Sequence, residues 1–158
     1  MTNFRILIVD AQREVRRTFA DGLQMLGPGM DIVELPSGEE ALLVAFRKTI
    51  HLLITDIKLP GISGFDLVRR IRKNNPDLKI IIITNLTDRA TKEQADQIGA
   101  DAFFYEPVNR EELLKTAQKC LGIAENVSTG EAKDEVKERA GVQAEITKPV
   151  EVKPKEPE

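Results

Sequence analysis

Four apolar segments end on groups that can do chemistry. Asp10 follows residues 4–9, Asp56 follows residues 51–55, Thr84 closes residues 79–84, and Glu106 follows residues 101–105. What they offer is oxygen, from three anionic acids and one neutral hydroxyl. Two of them also have plain structural uses. Asp10 precedes a helical segment at Gln12 and suits a cap, and Thr84 is a β-branched residue at the end of a strand. Asp56 has no such use, because Ile57-Lys58-Leu59-Pro60-Gly61 follows it and no helix starts there to be capped. It reads as a functional acid.

The elements that must position these groups alternate strictly. Residues 4–9, 31–35, 51–55, 79–84 and 101–105 are rich in β-branched and aromatic residues and predict five strands. Between them lie helical spacings: Val15, Phe19, Leu23 and Leu26; Ala41, Leu42, Ala45 and Phe46; Phe65, Val68 and Ile71. Ser37 with Glu40, and Asn109 with Glu112, have the spacing of capping boxes. Gly27-Pro28, Asn75-Pro76 and Gly99 fall where helices should stop. Such alternation predicts an α/β doubly wound sheet of five parallel strands, and Ile80-Ile81-Ile82-Ile83 suits a strand covered on both faces. With the flavodoxin-like (βα)5 order 2-1-3-4-5, the ends of the first, third, fourth and fifth strands surround one cleft, which gathers Asp10, Asp56, Thr84 and Glu106. The fourth helix, over residues 87–98, has only Ala90, Ala95 and Ile98 as an apolar stripe and is expected to pack lightly.

Composition sets the boundaries. Residues 1–123 read as one domain, whereas residues 124–158 have no aromatic residue and three prolines among the last ten, the mark of a disordered Lys/Glu/Pro-rich tail. Residues 1–124 hold 17 basic and 17 acidic side chains, and residues 125–158 hold 6 and 9, so the net charge of −3 belongs to the tail. A neutral domain gives no electrostatic footprint for nucleic acid, and Arg13, Arg16 and Arg17 read as a solvated helix face. No stretch approaches the roughly 20 apolar residues of a membrane span, and no signal-peptide pattern precedes Phe4, so a cytoplasmic location without membrane contact is expected. The single cysteine, Cys120, shares helical spacing with Leu113, Leu114, Ala117 and Leu121 and reads as packing. His51, the single histidine, begins a strand at the end away from the cleft and reads as solvated.

The motifs carry a resemblance. Ile6-Leu7-Ile8-Val9-Asp10, Leu53-Ile54-Thr55-Asp56-Ile57-Lys58-Leu59-Pro60-Gly61-Ile62-Ser63-Gly64-Phe65, Ile83-Thr84 and Gly99-Ala100-Asp101-Ala102 stand in the order and spacing of a response regulator receiver domain, over residues 4–122. The specific part is the segment from Asp56 to Leu59-Pro60-Gly61. The resemblance implies phosphoryl transfer from the phosphohistidine of a sensor histidine kinase or phosphotransfer protein to the carboxylate of Asp56. It implies Mg²⁺ held by Asp10, Asp56 and the backbone carbonyl of Lys58, and a phosphoryl contact from the Thr84 hydroxyl. Phe103 matches the family's switching aromatic and equally suits a plain core position. Output is implied through the fourth helix, fifth strand and fifth helix to a protein target, with no enzymatic activity of the chain's own.

Two positions depart from that pattern. Ala11 stands where similar receivers carry a second acidic metal ligand, and Glu106 replaces the lysine that bridges the phosphoryl group and the nucleophile. A carboxylate about 4 Å from an incoming phosphoryl group costs on the order of 4 kcal/mol at an effective dielectric near 20, enough to suppress transfer. Three arrangements are open: Glu106 reaches the cation, Lys58 swings in as a substitute cation, or Glu106 pairs on the surface with Arg110 or Lys58. A phosphorylation-independent interaction module of the same fold is the alternative function. A haloacid-dehalogenase-like phosphatase is remote, because it needs a second aspartate where Lys58 stands. Flavin binding would want a Ser/Thr/Gly-rich loop in place of Asp10-Ala11-Gln12-Arg13.

Overall fold

The computed structural model of the chain describes residues 3–123, so the expected disorder of residues 124–158 lies outside the described residues. The elements run β1 (Phe4–Val9), α1 (Arg13–Gln24), β2 (Met30–Leu35), α2 (Gly38–Arg47), β3 (Leu52–Thr55), α3 (Gly64–Asn74), β4 (Lys79–Thr84), α4 (Arg89–Gln97), β5 (Ala102–Tyr105) and α5 (Arg110–Leu121). Every strand pairing is parallel and the order is β2-β1-β3-β4-β5, the expected flavodoxin-like sheet.

Period-two alternation divides the core into two layers. Leu7, Val9, Leu53, Ile80 and Ile82 point toward α2, α3 and α4, whereas Ile6, Ile8, Leu52, Ile54, Ile81 and Ile83 point toward α1 and α5. The four isoleucines of β4 are all fully buried, which is why that run contains no polar residue. At about 25 cal/mol per Å² each contributes roughly 2–3 kcal/mol of burial, an upper bound set by an extended unfolded chain.

Caps fix the helix starts. The Ser37 hydroxyl accepts the Glu40 N–H and the Asn109 carbonyl oxygen accepts the Glu112 N–H, as the capping boxes predict. Ser63 caps α3 through the Asp66 N–H, and Asp88 caps α4 through Thr91, so α4 starts two residues later than the expected Thr87. The strand starts move by one residue for identifiable reasons. The His51 side chain accepts the Arg5 N–H at Nδ1 (2.9 Å), taking up a donor next to β3. The Asp101 carboxylate accepts the Ile80 N–H (2.8 Å), so that residue braces β4 and leaves β5 to begin at Ala102.

Two side chains face otherwise than their spacing predicts. Phe46 is 60% exposed because α2 turns Gly38, Ala41, Leu42 and Ala45 inward instead. On α4, Ala90 is exposed and Thr91 is buried with Ala95. That inner face is as thin as expected, but α4 is held at its end. Arg72 of α3 donates to the carbonyls of Ile98 and Gly99, and also to Leu78.

Candidate functional site

Parallel pairing brings the carboxyl ends of the strands to one edge, and the ladder continues just past each strand. The Asp56 N–H donates to Val9 O (3.1 Å), the Asp10 N–H to Leu35 O (3.2 Å) and the Glu106 N–H to Thr84 O (2.9 Å). Each acid is thereby fixed by its own backbone immediately above its neighbour strand. One carboxylate oxygen from each of Asp10, Asp56 and Glu106 lies within 4.8 Å of the others. Asp10 is buried, while Asp56 and Glu106 are half-buried and open to solvent.

Short local bonds aim the side chains. Asp10 Oδ1 accepts the Gln12 N–H (2.8 Å), and Gln12, the N-cap residue of α1, makes no side-chain cap of its own. The structural use foreseen for Asp10 therefore coexists with its place in the cluster. Asp56 Oδ1 accepts the Ile57 N–H (2.6 Å) and, more weakly, the Lys58 N–H (3.4 Å), while Oδ2 takes no hydrogen bond among the described residues. Beneath it, Gly64 opens α3 so close that a Cβ there would overlap the backbone oxygen of Asp56. The loop between them turns at Gly61, at φ +80°, where the Glu39 carboxylate accepts the Ile62 N–H (3.1 Å) and fills the space of a side chain.

Thr84 is fully buried, and its Oγ1 accepts the Leu86 N–H (3.1 Å). Phe103 is half-buried against the α2–α3–α4 layer, edge-on to Tyr105 at 5.1 Å with Lys92 Nζ 5.5 Å from its ring centre. The Lys58 side chain is exposed and forms no ion pair among the described residues.

Burial, with like charge added to it, shapes the cluster's acidity. Burial pushes the Asp10 carboxyl above its ordinary pKa; the Gln12 N–H opposes that, the Asp56 charge adds to it, and Arg16 opposes it. Burial also pushes Glu106 up, with the charges of Asp10 and Asp56 adding to the shift. Among the described residues Glu106 makes no ion pair, so the arrangement that paired it with Arg110 or Lys58 does not form. Arg110 instead reaches the sulfur of Met25 (3.2 Å).

One residue of the site was missed. Arg16, expected in a solvated face, is half-buried and donates from Nη1 to the backbone oxygen of Asp10 (2.6 Å). Its spacing carried a usable signal, because helix side chains lean toward the N-terminus and a second-turn residue of α1 reaches back to the strand end. Arg17 is likewise engaged, with Glu34 at 2.7 Å. His51 lies away from the cluster as expected but is half-buried, with its ring edge-on to Phe4. Cys120 packs half-buried against the α1–α5 layer, and burial raises its thiol.

The model of the response regulator receiver domain matches residues 6–118. The chain belongs to that family. Among curated relatives, this receiver is 29% identical over 129 residues to the probable transcriptional regulator ycf27 of Porphyridium aerugineum, covering 82% of this chain and 52% of that one. The receiver thus spans about half the length of such relatives. Among solved structures it resembles a CheY-like receiver domain protein of Methanospirillum hungatei (TM-score 0.71, 27% identity, 77% of this chain and 95% of that one). It also resembles the chemotaxis protein CheY4 of Vibrio cholerae (TM-score 0.69, 28% identity, 76% and 100%). Receiver domains are signalling modules of two-component systems, and they typically bind Mg²⁺ at an acidic site. The cluster in this receiver suits such an ion, since three carboxylates are the hard, anionic oxygen donors that Mg²⁺ accepts and, among the described residues, no cationic side chain pairs with Glu106. Among the described residues no helix is long and apolar enough to cross a membrane.

Proposed function

We propose that residues 1–123 act as a receiver in a two-component phosphorelay, in which Asp56 accepts a phosphoryl group and output is contact with another protein. The observation that carries this reading is the setting of Asp56. It sits at the end of a central strand, Oδ1 is held by two backbone N–H groups, and Oδ2 is left to react. In the step, an Asp56 oxygen forms a bond to phosphorus while the phosphorus–nitrogen bond of a kinase or phosphotransfer-protein phosphohistidine breaks. The imidazole leaves and an acyl phosphate remains.

Asp10, Asp56 and the carbonyl of Lys58 would hold Mg²⁺, which when bound offsets the repulsion between carboxylate and phosphoryl oxygens. Thr84 accepts from Leu86 N–H, so its hydroxyl hydrogen is free to donate to a phosphoryl oxygen. Such a bond would draw the start of the β4–α4 loop toward Asp56. Phe103 lies on the same face of the sheet as Thr84, which supports a switching role for its ring. Output would then pass through α4, whose inner face buries only Thr91 and Ala95, together with β5 and α5, where Tyr105 is 44% exposed. Balanced charge over residues 1–124 favours a protein over nucleic acid as the target, and beyond its own phosphorylation the receiver would turn over no substrate.

The test is incubation with Mg²⁺ and a small phosphodonor or beryllofluoride, followed by intact mass and NMR shifts, beside Asp56→Ala. An Asp56-dependent adduct is expected. Absence of any adduct would sink the phosphoacceptor and leave the second reading, an interaction module that works unphosphorylated. The specific observation favouring that second reading is the Glu106 carboxylate facing Asp56 where a lysine would attract the phosphoryl group.

A further inference from the structure

Glu106 has a choice of surroundings that its neighbours do not. It follows β5, it is half-buried, and the sequence offers Arg110 and the exposed Lys58 as cations with which a surface carboxylate could pair. Its carboxylate pairs with neither among the described residues and turns to Asp10 and Asp56, within 4.8 Å, at the cost of like-charge repulsion. The fixed backbone bond from Glu106 N to Thr84 O sets the start of that direction. Meanwhile Ala11 is exposed and brings no oxygen from the β1–α1 loop beyond Asp10. Arg16 donates to the backbone oxygen of Asp10, not to its carboxylate.

We propose that Glu106 is a direct ligand of a hard divalent cation, so that the third acid of the site comes from the β5–α5 loop instead of from position 11. This rests on the reading of Asp10 and Asp56 as cation ligands given above. It adds a consequence of its own, because a ligand on the β5–α5 loop ties that loop to cation occupancy before any phosphoryl group arrives. In a receiver with lysine at this position the loop is drawn to the phosphoryl group. Here Glu106 repels that group and holds the cation, so the cation alone carries part of the switching signal. Three carboxylates with a charge of −3 accept a divalent ion with one negative charge to spare, which also raises the site's affinity in the resting protein.

The experiment is a calorimetric titration of the full chain with Mg²⁺ alone, run on wild type, Glu106→Gln, Glu14→Gln and the double variant Ala11→Asp, Glu106→Gln. Glu14 lines the same groove as Glu106 and controls for through-space charge. Glu106→Gln is expected to weaken Mg²⁺ by about tenfold or more, Glu14→Gln by less than twofold, and the double variant to return toward wild type. An affinity for Glu106→Gln within twofold of wild type would overturn the proposal, as would equal losses in Glu106→Gln and Glu14→Gln. Beryllofluoride uptake at Asp56, measured on the same samples, keeps the two questions apart. Uptake without any role for Glu106 sinks this inference alone, and Glu106-dependent Mg²⁺ binding without uptake sinks the phosphoacceptor alone.

Discussion

Replacing Glu106 by glutamine should stabilise the cation-free protein, because it removes one of three crowded carboxylates without changing shape. At 4.8 Å two unit charges interact by about 3.5 kcal/mol at an effective dielectric of 20 and by about 0.9 kcal/mol in bulk water. Glu106 is only half-buried and open to solvent, so about 1 kcal/mol for each of its two partners is the appropriate scale. The expected gain is about 2 kcal/mol, which raises the urea midpoint by roughly 1 M for a domain of this size. The pH dependence has a defined sign. Burial and like charge raise the folded-state pKa values of Asp10 and Glu106, so their contribution to stability is full below the ordinary carboxylate range and is lost as pH rises through the folded values. The advantage of Glu106→Gln should therefore vanish in acid and grow toward neutrality, and it should shrink at about 1 M salt, where the screening length falls to about 3 Å. Urea melts in chelator across pH and at low and high salt, with both proteins side by side, measure all three. A variant no more stable than wild type at neutral pH would refute the repulsion assigned to the cluster.

Other perturbations have equally definite outcomes. Gly64→Ala should destabilise by about 2 kcal/mol or more, since the new Cβ meets the Asp56 backbone oxygen and not a yielding side chain, and it should shift the Asp56 amide in NMR spectra. Arg72→Met should cost about 1–3 kcal/mol and speed hydrogen exchange in α4 more than elsewhere, because three carbonyls lose their donor. Uniform exchange across the helices would show that Arg72 is not the clamp. Removing Arg16 as Arg16→Met should raise the carboxyl pKa of Asp10 further, followed by NMR titration in chelator; a fall would contradict the electrostatic role assigned to it.

The sheet was legible because its signals reinforce one another: β-branched runs, capping boxes and stop residues all mark the same boundaries, and parallel alternation leaves few topologies. The cluster was legible in membership for a related reason, since a strand-end residue in a parallel sheet has its location fixed by the order of strands. Orientation was another matter. Whether Glu106 turns outward to Arg110 or inward to Asp10 depends on balances of a few kcal/mol that spacing does not encode. Arg16 was lost because a charged residue among other arginines resembles a solvated face, and only the helix's position over the β1 end gives it a buried acceptor. Phe46 failed for the opposite reason. An apolar residue one step from an inward alanine shares its spacing, yet points about 100° away.

The arginine that holds the end of α4 gives that helix unequal freedom. Its far end is tied by Arg72 to Ile98 and Gly99, whereas its near end rests on the Asp88–Thr91 cap, a local closure that travels with the helix. A rod held more firmly at one end than at the other swings instead of sliding, so a tug on the β4–α4 loop would become a tilt about the Arg72 pivot. The largest excursion then falls at Arg89 and Lys92, on the turn that carries the cation over Phe103, and a binding partner that grips that turn would sense the tilt.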